Sequence, residues 1–219
     1  MGALAVLGAA VASAASLGTI PSASAASPVP ETPEAALAEL MAGNRRYVGA
    51  RLGICSENLP KAIVETETSQ APFAAILSCA DSRVPVELVF DQGIGRIFVT
   101  RVAGNIATPD IIASLEYGVA VLGTRAIVVL GHGNCGAVAA TAARKAAPGQ
   151  ISSLYAFIRP AVDRAGGDAD KAIRLNADIQ AHLLARSSPV LAEAIAAKRL
   201  AITPAYYDIG TGKVSLLAA

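Results

Sequence analysis

The chain has 219 residues, 53% of them hydrophobic, and a formal net charge of +1 with both signs spread along its length. That length supports one sizeable core. With no basic block, no Trp and only 4% aromatic residues, it lacks both the electrostatic footprint and the stacking platforms of a nucleic-acid binder.

Residues 1–30 contain no charged side chain. Met1 to Leu17 is a run of small and apolar residues, followed by Pro21 and by Ala23-Ser24-Ala25, the kind of site a signal peptidase cuts. The run is short and diluted by Gly and Ser, which argues against a membrane span and against stable membrane insertion of the mature domain. We read residues 1–27 as an export leader, implying a periplasmic location, and residues 28–219 as one domain. A positive segment before the apolar run is missing; an in-frame twin-arginine segment upstream of Met1 is the expectation that accounts for it. The alternative is a disordered Ala-rich leader on a cytoplasmic protein.

Thr32-Pro33-Glu34 opens a helix, with Thr as N-cap, Pro at the first position and an acid in the first turn. Leu37, Leu40, Met41 and Tyr47 continue it at helical spacing. Residues 51–71 read as polar and irregular, and Cys55 within them as an incidental free thiol. Phe73 to Ser78 is a continuous apolar run, expected of a strand buried on both faces. A short helix over Val84–Phe90, a strand over Arg96–Val102 and a helix over Asp110–Leu122 follow. Ala126–Leu130 is a third buried strand, and Gly136–Ala146 a helix ended by Pro148-Gly149. Residues 151–164 and 170–199 read as helical regions broken by Pro160, Gly166-Gly167 and Pro189. Leu200–Ile202 and Ala205–Ile209 read as separate strands, and Thr211-Gly212 turns the chain into a last strand over Lys213–Leu217. This alternation predicts a single α/β domain, a mixed and mostly parallel sheet flanked by helices, with an N-terminal helical arm.

Two segments carry chemistry. Ser78-Cys79-Ala80-Asp81-Ser82-Arg83 and Gly131-His132-Gly133-Asn134-Cys135-Gly136 each follow a buried strand. In a parallel sheet both emerge at the C-terminal edge, where such sheets place their ligands. Cys79, His132 and Cys135 offer two thiolates and an imidazole, a donor set suited to Zn2+. Three protein ligands leave a fourth position open, which distinguishes a catalytic from a structural site. Asp81 is placed to fill that position in a closed state; Arg83 is placed to hold it away in a bidentate ion pair. We expect Gly131, Gly133 and Gly136 to let the backbone bend close to the metal. A redox thiol protein would want a Cys-x-x-Cys pair, and none occurs. A zinc protein without an open site is disfavoured by the Asp81–Arg83 pair.

Cys-Ala-Asp-Ser-Arg followed by Gly-His-x-x-Cys-Gly resembles the signature pair of the β-carbonic anhydrases. The likeness extends from Gly43-Asn44-Arg45-Arg46-Tyr47 through Asp91-Gln92-Gly93 and Ser114-Leu115-Glu116-Tyr117-Gly118 to Ala205-Tyr206-Tyr207-Asp208, covering 32–217. The resemblance implies a lyase carrying one Zn2+ per subunit. Its reaction is the reversible hydration of CO2 to bicarbonate and a proton by hydroxide on the metal, favoured toward alkaline pH because two thiolates make the water less acidic. It implies that Gln70 donates a hydrogen bond to the substrate and that Phe98, Val102, Tyr117 and Gly136 line the substrate pocket. It also implies a homodimer or tetramer in which Gln70, Phe98 and Tyr117 serve a neighbouring subunit's zinc. The alternative substrate on the same scaffold is carbonyl sulfide or carbon disulfide. Arg101-Val102-Ala103-Gly104-Asn105 departs from the Arg-Asn-Val-Ala-Asn of many members. The family's bicarbonate-inhibition pocket uses a Trp, so that regulation is not carried over. His182 reads as an exposed helix residue.

Overall fold

The computed structural model describes residues 29–53, 59–144 and 146–218. The proposed leader and Cys55 lie outside the described residues. The elements run α1 (Pro33–Val48), α2 (Leu59–Thr66), β1 (Ala74–Ser78), α3 (Val86–Val89), β2 (Ile97–Arg101), α4 (Pro109–Ala120) and β3 (Ala126–His132). They continue with α5 (Gly136–Ala142), a 3-10 turn (Ile151–Leu154), α6 (Tyr155–Ala165), α7 (Ala169–Ser187), α8 (Pro189–Ala196), β4 (Ala201–Tyr207) and β5 (Val214–Leu216). Among the described residues, no helix is long and apolar enough to cross a membrane.

The sheet has the order β2-β1-β3-β4-β5, parallel except for the β4–β5 hairpin. Side chains alternate across it, as the two-residue period of a strand requires. Ala74, Ile76, Val128 and Leu130 face α1 and α3, packing on Ala36, Leu40, Val86 and Phe90. Ala75, Leu77, Ile127 and Val129 face α4, α7 and α8, packing on Leu115, Ala177, Leu184 and Leu191. Both faces are therefore covered, which is why β1 from Ala74 to Leu77 and β3 from Ala126 to Leu130 are continuously apolar instead of alternating. A third cluster, with Ile106, Val138, Ile158 and Ile173, surrounds Cys79 and Cys135 at the strands' C-terminal ends.

The helical arm begins as the sequence dictates: Thr32 Oγ1 accepts from the Ala35 N–H at 3.2 Å, with Pro33 next to it. Gly43 lets α1 lie against the α3 terminus, since a Cβ there would fall 1.7 Å from the Phe90 carbonyl oxygen. Buried Asn44 ties three elements together. Its Nδ2 donates to the carbonyls of Val89 (3.0 Å) and Gly212 (2.9 Å), and its Oδ1 accepts from the Val214 N–H (2.8 Å). Arg46 pairs with fully buried Asp91 at 2.5 Å.

Several boundaries differ from the sequence expectation. Residues 59–66, expected irregular, form α2. Leu59, Ala62 and Ile63 recur at helical spacing, but the helix buries none of its residues; the Lys61–Glu65 pair and the Thr66 hydroxyl on the Ala62 carbonyl support it locally. The α5 helix stops at Ala142, not Ala146, and Arg144 turns left-handed (φ 53°) just after it. Pro160 lies inside α6 without breaking it, because it occupies the exposed face where the freed carbonyl meets solvent. Leu200–Ile202 and Ala205–Ile209 are not two strands but one, β4, running through Pro204. The Pro204 carbonyl accepts from the Leu217 N–H, so the missing donor faces the side where β5 has ended. The strand expected to end at Leu130 continues to His132.

Asn44→Ala leaves two carbonyls and one N–H unpaired in or near the core. It is expected to lower the unfolding free energy by about 2–4 kcal/mol, measured by urea denaturation; a loss within experimental error would show that solvent replaces these bonds.

Candidate metal centre

The parallel register sets Ser78 opposite Leu130, so the segments leaving β1 and β3 emerge side by side. Cys79 is the first residue beyond β1, His132 the last of β3, and Cys135 the N-cap of α5. All three are buried, and their ligand atoms lie within 4.8 Å of one another. The His132 Nδ1 is 3.0 Å from the Gly133 carbonyl oxygen, which can only accept, so Nδ1 carries the proton. Nε2 is then a bare lone pair, buried and, among the described residues, without a hydrogen-bond partner. Two sulfurs and an imidazole nitrogen converging among buried side chains fit a borderline-soft divalent cation. The hydrogen bond from Cys135 holds the Cys79 thiol well below its ordinary range, and the same bond, with burial, pushes Cys135 up.

Asp81 closes a turn: its Oδ1 accepts from the Arg83 N–H at 3.0 Å, and its carbonyl accepts from the Val84 N–H. The Arg83 guanidinium forks onto the same carboxylate, Nε to Oδ1 at 2.9 Å and Nη2 to Oδ2 at 2.8 Å. These bonds hold the Asp81 carboxyl far below the usual carboxylate range. Its Oδ2 stands 3.9 Å from His132 Nε2, beside the donor set. The same Nη2 reaches the Asn134 carbonyl at 3.1 Å, so Arg83 braces one ligand-bearing loop against the other. Arg101 fixes the first loop from behind, Nε to the Cys79 carbonyl at 2.9 Å and Nη2 to the Asp81 carbonyl at 2.6 Å. The Gly104 N–H donates to Cys79 Sγ at 3.3 Å.

The glycines serve other purposes than the expected bend. A Cβ on Gly131 would meet Ile173 and its carbonyl at 3.2 Å, and one on Gly133 the Tyr206 hydroxyl at 3.0 Å; Gly136 faces open space. These two glycines admit α7 and Tyr206. The left-handed residue that turns the His-x-x-Cys segment is Asn134, at φ 54°. Sequence reasoning missed Asn134, the Gly104 N–H and the carbonyl clamp of Arg101. An Asn between Gly133 and Cys135 was the available signal for the first; backbone donors and acceptors leave none.

The structure does not bring every expected residue to this site. Val102 packs in the cluster that holds Cys79 and Cys135. Gln70 and Tyr117 instead line a separate cleft of about 590 Å3 with Thr66, Ser69 and Ile94, sharing no lining residue with the three ligands. Phe98 stacks near Tyr117, ring centroids 6.3 Å apart. Cys135 itself borders a different cleft of about 460 Å3, beside Tyr206 and Asp170. His182 is exposed on α7, its Nδ1 3.2 Å from Asp178 Oδ1.

A family model described as carbonic anhydrase matches residues 74–214. A carbonic anhydrase 2 of Mycobacterium tuberculosis is 37% identical over 196 residues, covering 84% of this chain and 92% of that protein. A solved Coccomyxa β-carbonic anhydrase in complex with acetazolamide is similar with a TM-score of 0.66 and 30% identity, over 83% of this chain and 86% of the other. A tetrameric β-carbonic anhydrase of Sordaria macrospora shares the fold, with a TM-score of 0.69 at 24% identity over 84% of this chain and 97% of that one.

Cys79→Ala, His132→Ala and Cys135→Ala are each expected to abolish stoichiometric metal binding, read by elemental analysis of the purified protein. Full metal content in any one of them removes that residue from the donor set.

Proposed function

We propose, because the chain belongs to the β-carbonic anhydrase family, that it interconverts CO2 and bicarbonate at a zinc ion held by Cys79, His132 and Cys135. The observation that carries this reading is the converging donor set with a bare His132 Nε2, while Arg83 turns the Asp81 carboxylate aside. When bound, zinc supplies Lewis acidity, which brings the pKa of water from about 15.7 toward about 7.

The residues of the chain do the rest. Asp81, kept ionised by Arg83, is an acceptor only, so it takes a hydrogen bond from the attacking water and aims the oxygen lone pair at the substrate carbon. Arg83 fixes where that acceptor sits by holding both carboxylate oxygens and the Asn134 carbonyl. Removing the fork would release Asp81 toward the ligand cluster, which its Oδ2 already adjoins. Val102 supplies apolar wall next to Cys79 and Cys135, and Gly136 leaves space at the rim.

Gln70, Phe98 and Tyr117 reach the reaction in a homodimer or tetramer, where the cleft that Gln70 and Tyr117 line on one subunit, with Phe98 against Tyr117, faces the metal of the next. Their separation from the ligands of their own chain and the half exposure of Tyr117 support that assembly. There Gln70 donates to a substrate oxygen as charge develops on it, and the two rings exclude water. The tetrameric state of the Sordaria macrospora enzyme agrees with such an arrangement.

Stopped-flow CO2 hydration tests the reading. Fast turnover is expected from zinc-loaded protein, lost on chelation, restored by zinc and rising toward alkaline pH. A zinc-replete protein that leaves CO2 untouched but hydrolyses carbonyl sulfide or carbon disulfide would overturn it. Arg83→Ala is expected to keep its zinc and lose turnover by about 100-fold, because Asp81 is no longer aimed. Arg83→Lys, which lacks the planar fork, is expected to restore little of the loss. Wild-type turnover in Arg83→Ala would remove the fork from the mechanism.

A further inference from the structure

We infer that Asn176, with Gln180 one helical turn on, is a positioning residue for this centre: through the Gly104 backbone it aims an N–H at the sulfur of Cys79. The inference rests on the metal reading given above and adds a residue far from the ligands in sequence.

The buried face of α7 is apolar at Ala172, Ile173, Ala177, Ala181 and Leu184, and carries two carboxamides among them, each 1% exposed. Burying an amide costs about 1–3 kcal/mol unless its bonds are made, and an aliphatic side chain would fill the same space. The amides make specific bonds instead. Asn176 Nδ2 donates to the Gly104 carbonyl at 2.8 Å, and Gln180 Oε1 accepts from the Ala107 N–H at 2.9 Å. Gln180 Nε2 donates to the Phe157 carbonyl at 3.1 Å, anchoring the pair to α6, and lies 3.4 Å from Asn176 Oδ1. Together they hold both ends of the 104–107 segment.

That segment has a backbone shape that needs holding. Gly104 (φ 79°) and Asn105 (φ 44°) are successive left-handed residues, the second with a Cβ that disfavours the conformation. Gly104 is also confined sideways: a Cβ there would lie 2.6 Å from Ile158 Cδ1 and 3.4 Å from Ala137 Cβ. The result of this shape is the 3.3 Å bond from the Gly104 N–H to Cys79 Sγ.

A hydrogen bond to a thiolate withdraws electron density from the sulfur. Two thiolates would otherwise donate heavily to the cation and blunt its acidity; an N–H on one of them offsets part of that donation. It also fixes the direction of the sulfur lone pairs. Groups that orient a ligand in this way typically change metal affinity or activity by about 10–100-fold when removed.

The test uses the full chain loaded with cobalt(II), whose thiolate-to-metal charge-transfer absorption reports sulfur donor strength. In Asn176→Leu the band is expected at lower energy than in the wild type, with kcat/KM down by about 10-fold and its alkaline rise displaced to higher pH. A band and pH profile identical to wild type, with only the melting temperature changed, would overturn the inference and leave Asn176 a packing residue. A measurement on the wild type keeps the test independent of that variant's folding. With 113Cd in place of cobalt, the Gly104 amide proton should show a through-hydrogen-bond coupling to the metal, and its absence would overturn the inference. If wild-type cobalt protein shows no thiolate band at all, the metal reading itself fails and this inference with it, whereas a normal wild-type band unmoved in the variant sinks the inference alone.

Discussion

Parallel pairing of β1 with β3, in a register that sets Ser78 against Leu130, is the constraint from which the site follows. It delivers Cys79 and His132 to the same edge of the sheet. It also lets α5 begin at Cys135 within reach of both. Because the two strands are buried on both faces, their register is fixed by close packing, and a one-residue slip would send every inward side chain to the wrong layer. The positions of the ligands are thus inherited from the core.

Electrostatics then has to be managed in a region where two sulfurs and a carboxylate lie close together. Arginines and peptide groups supply the balance. Arg83 neutralises Asp81 and joins the two ligand-bearing loops through the Asn134 carbonyl. Arg101 takes up the Cys79 and Asp81 carbonyls. Charge-assisted bonds of this kind are short and directional, so they fix loop geometry as well as charge. The N-terminal arm is held by comparable bonds, through which Asn44 and Arg46 tie it to the α3 terminus and to the β4–β5 hairpin.

Much of this was legible in the sequence. The buried runs at 74–78 and 126–130, the Thr32-Pro33-Glu34 helix start and the Cys-x-Asp-x-Arg and His-x-x-Cys spacings were each found where the structure has them. Misreadings cluster where tertiary context overrides a local signal. Pro204 lies within a strand because its missing donor faces an edge that β5 has already left. Pro160 is tolerated on a solvent-facing helix surface. The α2 helix is short and buries none of its residues, so the helical spacing of Leu59, Ala62 and Ile63 was passed over within a polar stretch. Gly131 and Gly133, read as letting the backbone bend close to the metal, make room for α7 and Tyr206.

The sequence by itself determined the fold class and singled out Cys79, His132 and Cys135, which converge. Apolar periodicity and rare residue types such as Cys and His carry that information locally, without reference to distant parts of the chain. The tertiary structure alone decided how the donors are held: the left-handed turn at Asn134, the Gly104 N–H on Cys79, the reach of Asn176 from α7, and the removal of Gln70 and Tyr117 to a separate cleft. The physical reason is that these arrangements run through backbone N–H and C=O groups, which every residue possesses alike, and through contacts between segments far apart in the chain. Neither leaves a mark in the order of side chains.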